Sequence, residues 1–212
     1  MGPRLSWCRS AVSRRCGGRP GSYGAQPMSQ PQGPFALELI PEREMPESID
    51  RAIRQLLRQC FPADQEVFAT TRAWHGSVPT FSVIHRRRDA VVGHVAIVIR
   101  TVRCRSTPVT VAGVESLCVA PSHRKTGLSA ALMDRALKEA AKGGIRFGLL
   151  FCLPELQRFY GPLGWFRLDR PVTMLDADGR EAPIPAKNIT MAIQLAEEPF
   201  PEGPIHLQGP DW

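Results

Sequence analysis

Residues 114–129 hold the side chains and backbone most able to do chemistry. Val114-Glu115-Ser116-Leu117-Cys118-Val119-Ala120 reads as a buried strand, Pro121 to Gly127 as a short basic turn, and Leu128-Ser129 as the start of an amphipathic helix. A strand, turn and helix in that order present unpaired backbone N–H groups and the positive end of a helix dipole to whatever sits above the turn. An anion is the natural occupant, above all a pyrophosphate. Glu115 stands out in the same stretch because an unpaired charge inside an apolar strand is costly. Tyr160 is the sole tyrosine after residue 28. His75, His85, His94, His123 and His206 show no metal-ligand spacing, and the six cysteines form no CxxC pair, so no metal is expected.

The elements that must position these residues follow from hydrophobic period. Phe35 to Ile40 alternates like a strand and closes at Pro41. Ile49, Ile53, Leu56, Leu57 and Cys60 recur at helical spacing after Pro46, and Pro62 ends that helix. Residues 62–78 carry no clear period and read as a loop or broken helix. Thr80–Arg86 and Ala90–Arg100 are strands joined by a turn at Arg87-Arg88-Asp89, and Val109–Ala120 is a third. Leu128, Leu132, Ala136 and Ala140 mark one stripe of a helix that Gly143-Gly144 terminates. A buried strand from Ile145 to Cys152, a short helix from Pro154 to Tyr160, and strands at 165–168 and 188–195 complete the order, with a turn at Asp176 to Gly179. Three central strands form a meander, and the later strand–helix–strand passage implies a parallel crossover. The fold class is α+β: a mixed, mostly antiparallel central sheet flanked by helices, in a single domain.

Composition bounds the function. The formal charge of +7 is uneven: residues 1–27 hold five of the 27 basic side chains and none of the 20 acids, leaving 22 against 20 in the rest. The basic balance therefore belongs to an N-terminal stretch rich in Gly, Pro, Ser and Arg, expected to be a disordered extension over residues 1–33. A transit peptide, a myristoylation signal at Gly2 and nucleic-acid contact are weighed for it. A solvated extension, or a true start at Met28, is the favoured reading, and no nucleic-acid partner is expected. No apolar run approaches the roughly 18 residues of a membrane span, and cysteines lying singly in apolar runs suit a reducing, cytoplasmic setting.

Arg124-Lys125-Thr126-Gly127-Leu128-Ser129 resembles the Gln/Arg-x-x-Gly-x-Gly/Ala pyrophosphate turn of the GCN5-related N-acetyltransferases. Phe159-Tyr160-Gly161-Pro162-Leu163-Gly164-Trp165 resembles that family's Phe-Tyr-x-x-x-Gly-Phe block, and the resemblance spans about residues 35–195. Ser129 departs from the usual Gly or Ala but stays small. Two branches look nearest. Aminoglycoside 2′-N-acetyltransferases share the strand before the turn, the Tyr-x-x-x-Gly-Trp block and a C-terminal Asp and Trp. Nodulation acyltransferases share an ending like Phe200 to Trp212 and a segment like Arg72-Ala73-Trp74-His75-Gly76.

The resemblance implies an acyltransferase domain over 34–196 and a tail, 197–212, that lines the acceptor site or frays. It implies acetyl-CoA as cosubstrate and a small-molecule or amino-sugar amine as acceptor, with no indication of oligomeric state. Backbone groups of Leu117, Cys118 and Val119 would lie along the pantetheine arm, and N–H groups from Arg124, Lys125, Thr126, Gly127, Leu128 and Ser129 would cradle the pyrophosphate. Tyr160 would be the acid that protonates the departing thiolate, and Glu115 the base. Trp74, Asp211 and Trp212 would help form the acceptor pocket. A packed tyrosine and a solvent-facing strand acid are the plainer readings of Tyr160 and Glu115. Transfer of a longer acyl group to an amino sugar, or an idle acyl-CoA-binding sensor, are the alternative functions.

Overall fold

The computed structural model describes residues 35–212; the extension expected over 1–33 lies outside the described residues. Strand β1 (Leu37–Pro41) leads into helix α1 (Glu47–Cys60). Pro46 caps α1 without contributing an N–H, and Glu47 and Asp50 place negative charge at its positive end. Ile53, Leu56 and Leu57 are its buried face, each worth about 1.5–3 kcal/mol in area removed from water. The aperiodic stretch after it is a broken helix: single turns at Pro62–Asp64 and Trp74–Gly76 flank a four-residue helix, α2 (Val67–Thr70).

Strands β2 (Phe81–Arg87), β3 (Ala90–Cys104) and β4 (Thr107–Val119) form the meander, antiparallel throughout. Helix α3 (Leu128–Lys142) then crosses the sheet, burying Leu128, Leu132, Met133, Ala136, Leu137 and Ala140. It sits close because Gly93 on β3 lies beneath it: a Cβ there would come within 2.9 Å of Leu128 and Leu132. Gly144, in the left-handed region at φ 80°, ends the helix, and Ile145 N–H reaches back to the Ala140 carbonyl at 3.2 Å. Strand β5 (Phe147–Cys152) returns parallel to β4, as the crossover requires. A turn at Pro154–Leu156 and helix α4 (Gln157–Tyr160) follow, then β6 (Phe166–Leu168), β7 (Val172–Leu175), β8 (Glu181–Pro183), β9 (Ile189–Gln194) and β10 (Ile205–His206).

The strands make one sheet in the order β6-β9-β5-β4-β3-β10-β7-β8, with β1 and β2 branching from β3. The long β3 allows this: its first half pairs with β2 and its last two residues with β10. One core lies between the sheet and α1 and α3, and a second, on the other face, gathers Val98, Val111, Phe147, Leu149, Leu207 and Trp212. Three strands depart from the sequence expectation. The β7–β8 hairpin frames the expected turn, whose Asp176 carboxylate accepts the N–H groups of Asp178 and Arg180. Strands β7 and β10 have only four and two residues, too short to impose a period. No helix among the described residues is long and apolar enough to cross a membrane.

Candidate active site

The site is built on an irregularity in β4. Glu115 pairs with Ala96 and Cys118 with His94, so Ser116 and Leu117 together oppose Val95. This is a β-bulge, and Ser116 takes the left-handed conformation at φ 54° to make it. His94 holds it in place. Its ring is fully buried and its Nδ1 lies 3.0 Å from the Ser116 carbonyl, with Nε2 3.2 Å from Ser82 Oγ. Burial pushes His94 down to about 3, so the ring is neutral: Nδ1–H donates to Ser116 and Nε2 accepts from Ser82.

The sheet has already opened where the bulge begins. Strands β4 and β5 pair only from Val111–Phe147 to Gly113–Leu149, and past that point they diverge. A cavity of about 430 Å³ occupies the wedge, lined by Glu115, Leu117, Cys152, Tyr160, Trp74, His75, Asp211 and Trp212 among others. Glu115 is 3% exposed, and neither carboxyl oxygen has a hydrogen-bond partner. Burial raises it to about 8, against a lowering pull from Arg72; Glu42 raises it and Arg100 lowers it further. Arg72 stands behind it, its Nε 2.6 Å from Asp50 and its Nη2 on Glu42, so most of its charge is already matched. The solvent-facing reading of Glu115 is thus excluded. Tyr160 ends α4 and lines the same cavity, its ring edge-on to Phe159 and Trp165. Burial, with Cys152 nearby, raises the phenol above its ordinary 10, so it holds its proton at neutral pH.

The anion turn lies outside the cavity lining, beyond the far end of the bulged segment. Gly127 caps α3 from the left-handed region at φ 85°, and Lys125 is also left-handed at φ 62°. Among the described residues, the N–H groups of Lys125, Thr126, Gly127, Leu128, Ser129 and Ala130 have no protein acceptor. Six free donors at a helix N-terminus fit a pyrophosphate. Arg124 is turned back, its Nε donating to the Val119 carbonyl at 3.2 Å, where the Cys60 thiol also reaches. The Cys118 side chain is buried against Cys60, whose thiol is pulled down by hydrogen bonding from Cys118 and Arg124.

The structure therefore brings Glu115, Leu117, Tyr160, Trp74, Asp211 and Trp212 to one cavity. Trp212 is no frayed end: it is 5% exposed, donates Nε1–H to the Leu149 carbonyl at 3.3 Å and lies over Gly113, where a Cβ would come within 2.3 Å of its ring. A glycine in mid-strand was the sequence signal for that close approach. Sequence reasoning missed His75, Asp64, Cys152, Lys187 and Asn188 at the cavity, and the supporting Arg72, Arg100 and His94. No group of three metal-ligating side chains occurs among the described residues.

Fold and site define an acyltransferase, a strand-bulge wedge beside a helix-capped anion turn. Residues 43–167 match the acetyltransferase (GNAT) domain family, more than half of the chain, and the protein belongs to that family. Solved structures of similar fold include the GNAT N-acetyltransferase YhbS from Escherichia coli in complex with CoA, at 18% identity and TM-score 0.59 over 84% of this chain and 92% of that one. An aminoglycoside 6′-N-acetyltransferase complexed with coenzyme A aligns at 17% identity and TM-score 0.55, over 77% and 99%. An acyl-CoA N-acyltransferase from Pseudomonas aeruginosa aligns at 16% and 0.54, over 75% and 99%.

Proposed function

We propose that the protein transfers the acetyl group of acetyl-CoA to a primary amine by direct attack, in the cytoplasm. The observation that carries this is Glu115: a buried, unpartnered carboxyl raised to about 8, sharing one cavity with a protonated phenol. A base poised near neutral pH and a protonated acid in one cavity suit amine acylation. The CoA-bound neighbours and the six free N–H groups of residues 125–130 support CoA as the donor.

Each residue has a task. The turn N–H groups hold the pyrophosphate, and the bulged segment Leu117–Val119 lies along the amide-bearing arm. Glu115 takes a proton from the acceptor ammonium, directly or through water. The free amine attacks the thioester carbonyl, forming C–N as C–S breaks. Tyr160 protonates the departing sulfur and is reprotonated by the proton the nitrogen sheds. A cavity of about 430 Å³, near the low end for drug-sized ligands, must take both the acceptor and the acyl end, which favours a short acyl group. Aromatic and acidic walls, Trp74, Trp212, Asp64 and Asp211, favour a cationic small molecule or amino sugar as acceptor.

A thiol-release screen with acetyl-CoA over polyamines, amino acids, aminoglycosides and chitosan oligomers tests this. Saturable thiol release with at least one amine is expected. CoA binding by calorimetry without release from any amine would refute catalysis, and absence of CoA binding would refute the donor.

A further inference from the structure

Acylating a protonated amine sheds one proton per turnover: ammonium and thioester give amide, thiol and H⁺. Under the function proposed above, that proton first lands on Glu115, which is 3% exposed and has no protein hydrogen bond. It needs a way out. His75 lines the same cavity and its side chain is 53% exposed, so the residue borders both the cavity and solvent.

The geometry around His75 is that of an oriented imidazole. Its Nδ1 meets the carboxylate of Asp211, whose side chain is 3% exposed. A carboxylate at Nδ1 takes the Nδ1–H, leaving the lone pair of the neutral ring on Nε2. Asp211 is itself fixed: Ser77 Oγ donates to its backbone carbonyl at 2.6 Å and accepts from Arg100 Nη2 at 3.0 Å. Arg100 lies in the field of both Glu115 and Asp211. Finally, His75 adopts φ 50°, ψ 17° and is followed by Gly76 at φ 80°. The left-handed region is uncommon for a residue other than glycine, and here that turn delivers the His75 side chain to the cavity lining.

We propose that the His75–Asp211 pair is the proton outlet of the site. His75 receives at Nε2, through cavity water, the proton that Glu115 has taken from the acceptor, and releases it to solvent. Asp211 is the positioning residue that sets the tautomer. Each step moves one proton between named atoms and returns Glu115 to its anion for the next turnover.

The test replaces the ring where the backbone welcomes it. Glycine is at home at φ 50°, so His75→Gly keeps the fold and leaves a hole the size of an imidazole. Thiol release is followed with the best amine of the screen. Turnover in His75→Gly should fall at least about tenfold, CoA affinity by calorimetry should stay within about twofold, and free imidazole should restore turnover saturably. His75→Asn, also suited to the left-handed region, should lose turnover in the same way. Asp211→Asn should lose turnover without imidazole rescue. Turnover unchanged in His75→Gly, a loss confined to the acceptor KM, or a loss that imidazole does not repair would each overturn the outlet while leaving the acetyltransferase reading intact. A wild-type protein that releases no thiol with any amine of the screen would overturn both.

Discussion

Replacing Glu115 by Gln should stabilise the protein at alkaline pH while stopping its chemistry. The carboxyl rises from an ordinary 4.5 to about 8 because burial disfavours the anion. Between those values the folded protein holds a proton that the unfolded chain lacks, so stability falls as pH rises from 4.5 through 8. At about 1.4 kcal/mol per pH unit the full cost of the anion approaches about 5 kcal/mol, and water entering the cavity trims it to about 2–5 kcal/mol. Glutamine has the same shape and no charge, so the variant escapes this cost. At pH 5 the two proteins should melt together. By pH 8.5 the variant should melt about 5–15 °C higher, since a domain of this size gains about 2–4 °C per kcal/mol. Its kcat should fall about 10²–10⁴-fold, the range of a lost general base. Parallel thermal melts and urea titrations at pH 5, 6.5 and 8.5, with thiol release at pH 7.5, measure both effects. A melting difference that does not grow with pH would refute the burial argument, and retained turnover would refute the assignment of the base.

Tyr160→Phe should lower kcat about 10²-fold or more with CoA affinity unchanged by calorimetry, because only the proton donor is removed; equal activity would take Tyr160 out of the mechanism. His94, held near 3 by burial, lacks a proton that the unfolded chain binds below its ordinary 6.5, so stability should fall on acidification from 6.5 toward 3. Glu115 opposes this between 4.5 and 6.5, so the slope, up to about 1.4 kcal/mol per pH unit, should show cleanly in Glu115→Gln; a flat urea-midpoint profile there would contradict it. Gly113→Ala should cost about 1–3 kcal/mol in urea unfolding, because the added methyl meets the Trp212 ring; a neutral result would mean Trp212 is free to leave.

Much of the scaffold was legible because period and punctuation agree. The α3 stripe ends at Gly143-Gly144, and the helix sits where the apolar residues recur. The meander and the parallel return of β5 follow from β-branched runs and one crossover. The shortest strands were not legible, because β10 has two residues and takes its identity from neighbours far along the chain. At the site, Glu115 and Tyr160 declared themselves as a charged and a phenolic side chain in apolar surroundings. His75 did not, since its significance depends on Asp211, 136 residues away. Nor did the bulge at Ser116: a left-handed serine leaves no mark on a hydrophobic pattern, whereas the glycine at 127 in the same region does.

The bulge makes chain length, more than side-chain identity, the quantity that the segment between Glu115 and Cys118 must keep. Two residues stand there opposite one, so deleting either would close the ladder into a regular one. The β3–β4 ladder would keep its pairs, and the residues after Glu115 would shift against the cavity. An exchange at 115 alters the chemistry of a cavity that persists. The loss of one neighbour should instead reshape the cavity, with the strand pairing kept.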